Sequence, residues 1–96
     1  SVHIGSQILD VKPYENMLKA LNKIIKKANY SFEYIDLGGG MGIDYKNNKK
    51  MLNLKNYSRN IKRFLKNHNS KIIFEPGRSI VGNIGTLISS IHRQPD

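Results

Sequence analysis

Apolar positions along the chain follow two different periods. Tyr14, Met17, Leu18, Leu21, Ile24, Ile25 and Ala28 recur at spacings of three and four, which is one face of a helix. Asp10 and Pro13 mark its start, because a proline in the first turn gives up only an N–H that has no partner there. Its end is predicted near Asn29. A second stripe, Leu54, Tyr57, Ile61, Phe64 and Leu65, predicts another helix ending near Asn67 or His68. Between and after the helices lie short runs rich in β-branched and aromatic residues, 32–37 and 71–75, which read as strands. Residues 1–4 form a short, partly apolar start. Residues 84–91 are apolar and β-branched without helical spacing, which predicts a further strand. The lysine- and asparagine-rich stretch 44–50 predicts an exposed loop.

Each of three strand ends stops at a polar or glycine-rich cluster: His3-Ile4-Gly5-Ser6, Leu37-Gly38-Gly39-Gly40 and Glu75-Pro76-Gly77-Arg78. Each interval between them holds one helix. Strand, helix, strand at that length is a βα repeat, with parallel strands joined by right-handed crossovers. The class is therefore α/β. In parallel sheets ligands sit at the carboxyl ends of the strands, and all three clusters fall at that edge. Three consecutive glycines let backbone come very close to a neighbour, and successive free N–H groups make a concavity for an anion. A phosphate is the natural guest, although a tight turn alone would also need such glycines. The dinucleotide fingerprint fails, since Ile43 or Tyr45 stands where the third glycine belongs, and no P-loop follows. The repeat by itself fits a barrel or an open sheet.

Composition narrows the class. The chain has 96 residues, enough for one small domain, and no cysteine, so disulfides and thiolate metal sites are excluded. No run is long enough to span a membrane. The chain opens on Ser1 and runs at once into Val2-His3-Ile4, which leads us to expect a piece of a longer protein, by default cytoplasmic. A formal charge of +9 suggests nucleic acid, but the placement of the charges argues otherwise. Lys19, Lys23, Lys26 and Lys27, and likewise Lys55, Arg59, Lys62, Arg63 and Lys66, fall opposite the apolar stripes, where solvated side chains belong. No aromatic residues interleave with them as a stacking platform requires. His68 and His92 are read as surface residues, no metal site is expected, and no Ser/His/Asp set is recognisable.

His3-Ile4-Gly5-Ser6-Gln7, Asp36-Leu37-Gly38-Gly39-Gly40-Met41-Gly42-Ile43 and Glu75-Pro76-Gly77-Arg78 stand in an order and spacing that closely resemble the alanine-racemase-like, pyridoxal-phosphate-dependent decarboxylases. Gln7 and Met41-Gly42-Ile43 resemble the diaminopimelate decarboxylase branch. The resemblance covers essentially the whole chain but only about a quarter of such an enzyme. It implies that residues 1–82 are the last βα units of a (β/α)8 TIM barrel and that 83–96 is the first strand entering a C-terminal β-domain. It implies pyridoxal 5'-phosphate as cofactor, with the backbone of Gly38, Gly39 and Gly40, helped by the N-terminus of a following helix, holding the phosphate. Ser6 would add a hydroxyl, and Gly77 and Arg78 would close the cup. On the residues alone Ser6 is equally an ordinary cap or turn serine. The residues alone favour an ion pair between Glu75 and Arg78; the resemblance instead sets Glu75 against the pyridine nitrogen as a catalytic group. His3 would stack on the ring. Arg78 suits either phosphate or a substrate carboxylate. Asp36 reads as a structural hydrogen-bonding group.

The same resemblance implies decarboxylation of meso-diaminopimelate to lysine and carbon dioxide, as a homodimer, with an amino acid as the small-molecule substrate. Ornithine, arginine and carboxynorspermidine decarboxylases are alternatives within the family. The family's Schiff-base lysine precedes this region, and its cysteine motif and tyrosine follow it. The lysines here lie on helix faces and loops, or, for Lys71, at the wrong end of a strand. We therefore expect the isolated chain to be inactive and, with unclosed sheet edges, marginally folded or prone to aggregate. A non-catalytic phosphate-binding protein and, less well supported, a basic nucleic-acid module are the rival readings.

Overall fold

Helix α1 (Lys12–Ala28) starts with the Lys12 N–H donated to Asp10 Oδ1 at 2.8 Å and Pro13 in the first turn. It ends at Asn29, which takes a left-handed conformation (φ 50°) and returns its N–H to the Lys26 carbonyl. Lys26 and Lys27 in the last turn complement the helix dipole. Helix α2 (Leu54–Leu65) is capped by Asn53, whose side chain accepts the Asn56 N–H. These bounds match the apolar stripes. The computed structural model describes residues 1–90 of the chain.

Strands β1 (Tyr34–Asp36) and β2 (Lys71–Ile73) pair in parallel, with Ile35 opposite Ile72. Both are shorter than the runs predicted, yet hydrogen bonds continue past each end. Lys71 N–H reaches Glu33 O at 2.8 Å, Leu37 N–H reaches Ile73 O at 3.0 Å, and Glu75 N–H reaches Gly38 O at 2.9 Å. On the other edge of β1, Val2 N–H donates to Asp36 O at 2.9 Å, and Ile8 forms a single parallel bridge with Met41. The start of the chain thus lies beside β1 as an extended segment and not as a regular strand. Its ladder is interrupted because Gly5 (φ 117°) and Gln7 (φ 61°) both leave the extended region.

One apolar cluster joins α1, α2 and the sheet: Tyr14, Met17, Leu18 and Ile25 meet Tyr57, Ile61 and Phe64 over Ile35, Leu37 and Leu52. The rings of Tyr14 and Tyr57 lie 4.2 Å apart. Three members of the predicted stripes do not join: Ile24, Ala28 and Leu54 are exposed, because the covered face of each helix is narrower than its apolar stripe. The lysines named above are exposed on the outer faces. The loop 44–50 is exposed and closed on itself, with Asp44 accepting the N–H groups of Lys46, Asn48 and Lys49.

A short helix, α3 (Arg78–Val81), follows β2 where no helix was predicted. The strand predicted at 84–91 is not formed over 84–90, and Ile91 lies outside the described residues. A strand needs a neighbour to satisfy its N–H and C=O groups, and among the described residues no segment forms a β-bridge with residues 84–89. Tyr34, Ile73 and Phe74 also stay exposed. Beside them, a groove of about 760 Å³ runs between α2 and β2, lined by Leu54, Tyr57, Ile61, Leu65, Ile72 and Phe74 among others.

Candidate functional site

The three sequence clusters meet at the carboxyl ends of the strands, and the glycines are what lets them meet. A Cβ on Gly38 (φ 67°) would lie 2.5 Å from the Val2 carbonyl oxygen and 3.2 Å from His3 Nδ1. A Cβ on Gly39 would run into the carbonyl of Glu75, and one on Gly40 into the carbonyl of Gly5. The triplet therefore nests against the backbones on both sides. Close approach was the correct reading of these glycines; the first thing approached is the protein's own main chain.

The polar groups of the triplet divide cleanly. All three carbonyls are used: Gly38 O accepts from Glu75 N–H, Gly39 O from the Tyr14 hydroxyl at 3.1 Å, and Gly40 O from Ile8 N–H at 2.8 Å. The Gly38 N–H is donated to Asp36 Oδ1 at 2.8 Å, which bears out Asp36 as a structural group and removes the Gly38 N–H from the predicted set of phosphate donors. The N–H groups of Gly39 and Gly40 have no acceptor among the described residues. Two adjacent main-chain donors without partners are what an oxyanion requires. The expected helix N-terminus behind them is absent: the next helix, α2, begins only at Leu54. The sequence between is taken up by the Met41 bridge and the loop 44–50.

Gln7 joins the clusters to one another. Its Nε2 donates to Ile43 O at 2.6 Å, and its Oε1 accepts from Ile43 N–H and from Arg78 Nη1, each at 3.2 Å. The Arg78 guanidinium also lies over the Tyr45 ring, 5.7 Å from its centroid. Among the described residues Arg78 has no carboxylate partner, and the Glu75–Arg78 ion pair favoured by the residues alone is not formed. Glu75 is exposed with its carboxylate unpaired. His3 is exposed with its ring beside Gly38, and Ser6 is exposed and caps no helix. Around Gly77, a Cβ would meet open space. Among the described residues Glu75 and Arg78 thus stand at this edge without a partner of opposite charge, the Arg78 guanidinium being held by Gln7 and Tyr45.

Gln7, Tyr14 and Tyr45 were not assigned to the site from sequence. Gln7 stood directly after the first motif, and a tyrosine heading a buried stripe needs a partner for its hydroxyl, which was the available signal for Tyr14. Burial holds the Tyr14 phenol above its ordinary pKa, and burial together with Tyr14 raises that of Tyr57 well above it. His68 is not a free surface residue: it hydrogen-bonds Asn22 at 2.9 Å and stacks on Phe64, tying α1 to the end of α2. His92 lies outside the described residues. No group of three or more His, Asp and Glu side chains able to hold a metal occurs among the described residues, and no helix of the described residues is long and apolar enough to cross a membrane.

Residues 1–82 match the family model for the pyridoxal-binding domain of pyridoxal-dependent decarboxylases. The diaminopimelate decarboxylase of Zymomonas mobilis is 42% identical over 95 residues, covering 95% of this chain and 23% of the relative. That of Aquifex aeolicus is 41% identical over 92 residues, covering 93% of this chain and 22% of the relative. A crystal structure from Aquifex aeolicus superposes with a TM-score of 0.76 at 40% identity, covering 84% of this chain and 21% of that one. Diaminopimelate decarboxylase from Helicobacter pylori, complexed with L-lysine, superposes with a TM-score of 0.71 at 36% identity, covering 81% and 20%. The chain therefore spans less than a quarter of the length of these relatives.

Proposed function

The chain belongs to the pyridoxal-dependent decarboxylases, and from that premise we propose that it forms the phosphate-binding edge and ring partner of a meso-diaminopimelate decarboxylase. The observation that carries the reading is the pair of N–H groups at Gly39 and Gly40 without acceptors among the described residues, at the edge that also carries Glu75, without an ion-pair partner, and Arg78, whose guanidinium is held by Gln7 and has no carboxylate partner. These residues fit pyridoxal 5'-phosphate. Gly39 and Gly40 would donate to its phosphate, with Ser6 and the backbone at Gly77 in reach of the same edge. Arg78 would supply a cation, neutralising phosphate or a substrate carboxylate. Glu75 would hold a proton on the pyridine nitrogen, and His3 would pack on the ring. The cofactor, when bound, supplies an electron sink for the pair released as the carboxylate leaves.

In the same reading residues 1–82 belong to a (β/α)8 barrel and 83–96 lead into a second domain. The uncovered outer edge of β2 and the open groove beside α2 support a sheet that continues beyond these strands. The amine that attaches the cofactor comes from outside the 96 residues, the product is lysine within lysine biosynthesis, and the whole enzyme is a cytoplasmic homodimer. The test is carbon dioxide release by the purified full-length protein supplied with pyridoxal 5'-phosphate. Faster release from meso-diaminopimelate than from ornithine or arginine is expected; equal or reversed rates would overturn the substrate assignment.

A further inference from the structure

Tyr14 lies in the first turn of α1, fully buried, and its hydroxyl is spent on one group, the carbonyl of Gly39. That bond spans 25 residues and connects the helix to the loop where the oxyanion donors sit. The peptide bonds of the described residues are trans, so the carbonyl of one residue and the N–H of the next point in opposite directions across one rigid plane. Holding Gly39 C=O toward α1 therefore aims Gly40 N–H away from α1. The preceding plane is fixed in the same manner: Glu75 N–H holds Gly38 C=O toward β2, which aims Gly39 N–H away from β2. One of these two anchors is main chain. The other is a side-chain hydroxyl.

A glycine–glycine peptide has little intrinsic preference that would keep it oriented, because each residue reaches both signs of φ at low cost. We propose that Tyr14 is a positioning residue for oxyanion recognition, its hydroxyl locking the Gly39–Gly40 peptide so that the Gly40 N–H is presented to a phosphate. The inference rests on the phosphate-binding reading of this loop and adds to it the group that orients the donor. Tyr14 itself touches no ligand. The hydroxyl acts from the core side, through the peptide plane. The aromatic contact with Tyr57 fixes the ring and so fixes the hydroxyl.

The experiment compares the equilibrium affinity of the purified full-length protein for pyridoxal 5'-phosphate and for pyridoxal, by absorbance titration, in the unsubstituted protein, in Tyr14→Phe and in Tyr57→Phe. The unsubstituted protein should prefer the phosphorylated form. Tyr14→Phe should reduce that preference about tenfold while leaving the affinity for pyridoxal unchanged, the scale of one lost hydrogen bond to a charged ligand. Tyr57→Phe, whose hydroxyl makes no bond to the loop, should keep it. Retention of the full preference in Tyr14→Phe would overturn the proposal. Absence of any preference in the unsubstituted protein would overturn the phosphate-binding reading beneath it. Amide hydrogen exchange reads the same point directly: inorganic phosphate should slow exchange at Gly40 in the unsubstituted protein and do so less in Tyr14→Phe, and equal slowing in the two would overturn the proposal.

Discussion

Replacing Gly39 by alanine adds a single methyl group, and the structure gives it no place to go. Gly39 does not have a positive φ, so backbone strain contributes nothing. The added Cβ would meet the carbonyl oxygen of Glu75 at a separation no real Cβ shows, with the Glu75 carbonyl carbon at 3.0 Å and Pro76 Cα at 3.6 Å behind it. Those are main-chain atoms, so relief requires the end of β2 to retreat as a unit. The bond from Glu75 N–H to Gly38 O, now 2.9 Å, is the first lost. Overpacking of about 1–3 kcal/mol and one backbone hydrogen bond of about 1 kcal/mol together put the cost at about 2–4 kcal/mol. Gly85→Ala is the matched control, because a Cβ there meets nothing within 4 Å and its φ is not positive. Urea unfolding of the two purified variants should separate them, with a midpoint lower by about 1–2 M for Gly39→Ala and little changed for Gly85→Ala. Equal midpoints would refute the claim that backbone nesting, and not chain flexibility, requires a glycine at position 39.

Asp36→Ala should cost about 1–3 kcal/mol in thermal stability by orphaning the Gly38 N–H, whereas Asp36→Asn, which keeps an acceptor, should lose less than half of that; equal losses would contradict the assigned bond. Gln7→Met fills similar space but removes all three bonds to Ile43 and Arg78, and should weaken binding of pyridoxal 5'-phosphate in a titration more than it lowers the thermal midpoint. Because the phenols of Tyr14 and Tyr57 titrate above their ordinary pKa of 10.0 in the folded chain, their contribution is complete below pH 10 and is lost as the pH rises beyond it. Urea midpoints measured across that range should fall with pH, and Tyr57→Phe should flatten the slope. The 96-residue segment produced alone should release no carbon dioxide from meso-diaminopimelate and should associate through Tyr34, Ile73 and Phe74; a sharp, reversible transition of a monomer would contradict the second expectation.

Helix bounds were legible in the chain because capping and periodicity are local: Pro13 and Asn29 sit where the structure begins and ends α1, and the stripe from Leu54 to Leu65 spans α2, whose Asn53 cap the sequence reading did not name. The convergence of the three clusters was legible from their regular spacing. Other features depend on which way a neighbouring side chain turns or on contacts distant in sequence. Whether Gly38 N–H is free depends on a carboxylate two residues away turning back, and whether Glu75 meets Arg78 depends on Gln7 holding the guanidinium from 71 residues off. The segment 84–90 has the composition of a strand, but composition cannot supply the neighbouring strand that pairing requires. Ile24 and Leu54 follow the helical stripe and still face outward, since a stripe specifies a direction and only tertiary packing specifies its width.

The clamp of Gln7 on both main-chain groups of Ile43 has a consequence for how such a chain can vary in length. Residues 38–43 are pinned to the start of the chain and to Glu75, and immediately after them Asp44 closes a turn from its own carboxylate. The connection from there to Lys50 is thereby insulated: residues inserted or deleted within it, ahead of the buried Leu52, alter a solvent-facing loop of polar chain, and the register of Gly39 against Glu75 does not shift. One inserted residue between Gly40 and Ile43 would instead propagate directly into the glycine loop. Length tolerance should change abruptly at a single residue, Ile43.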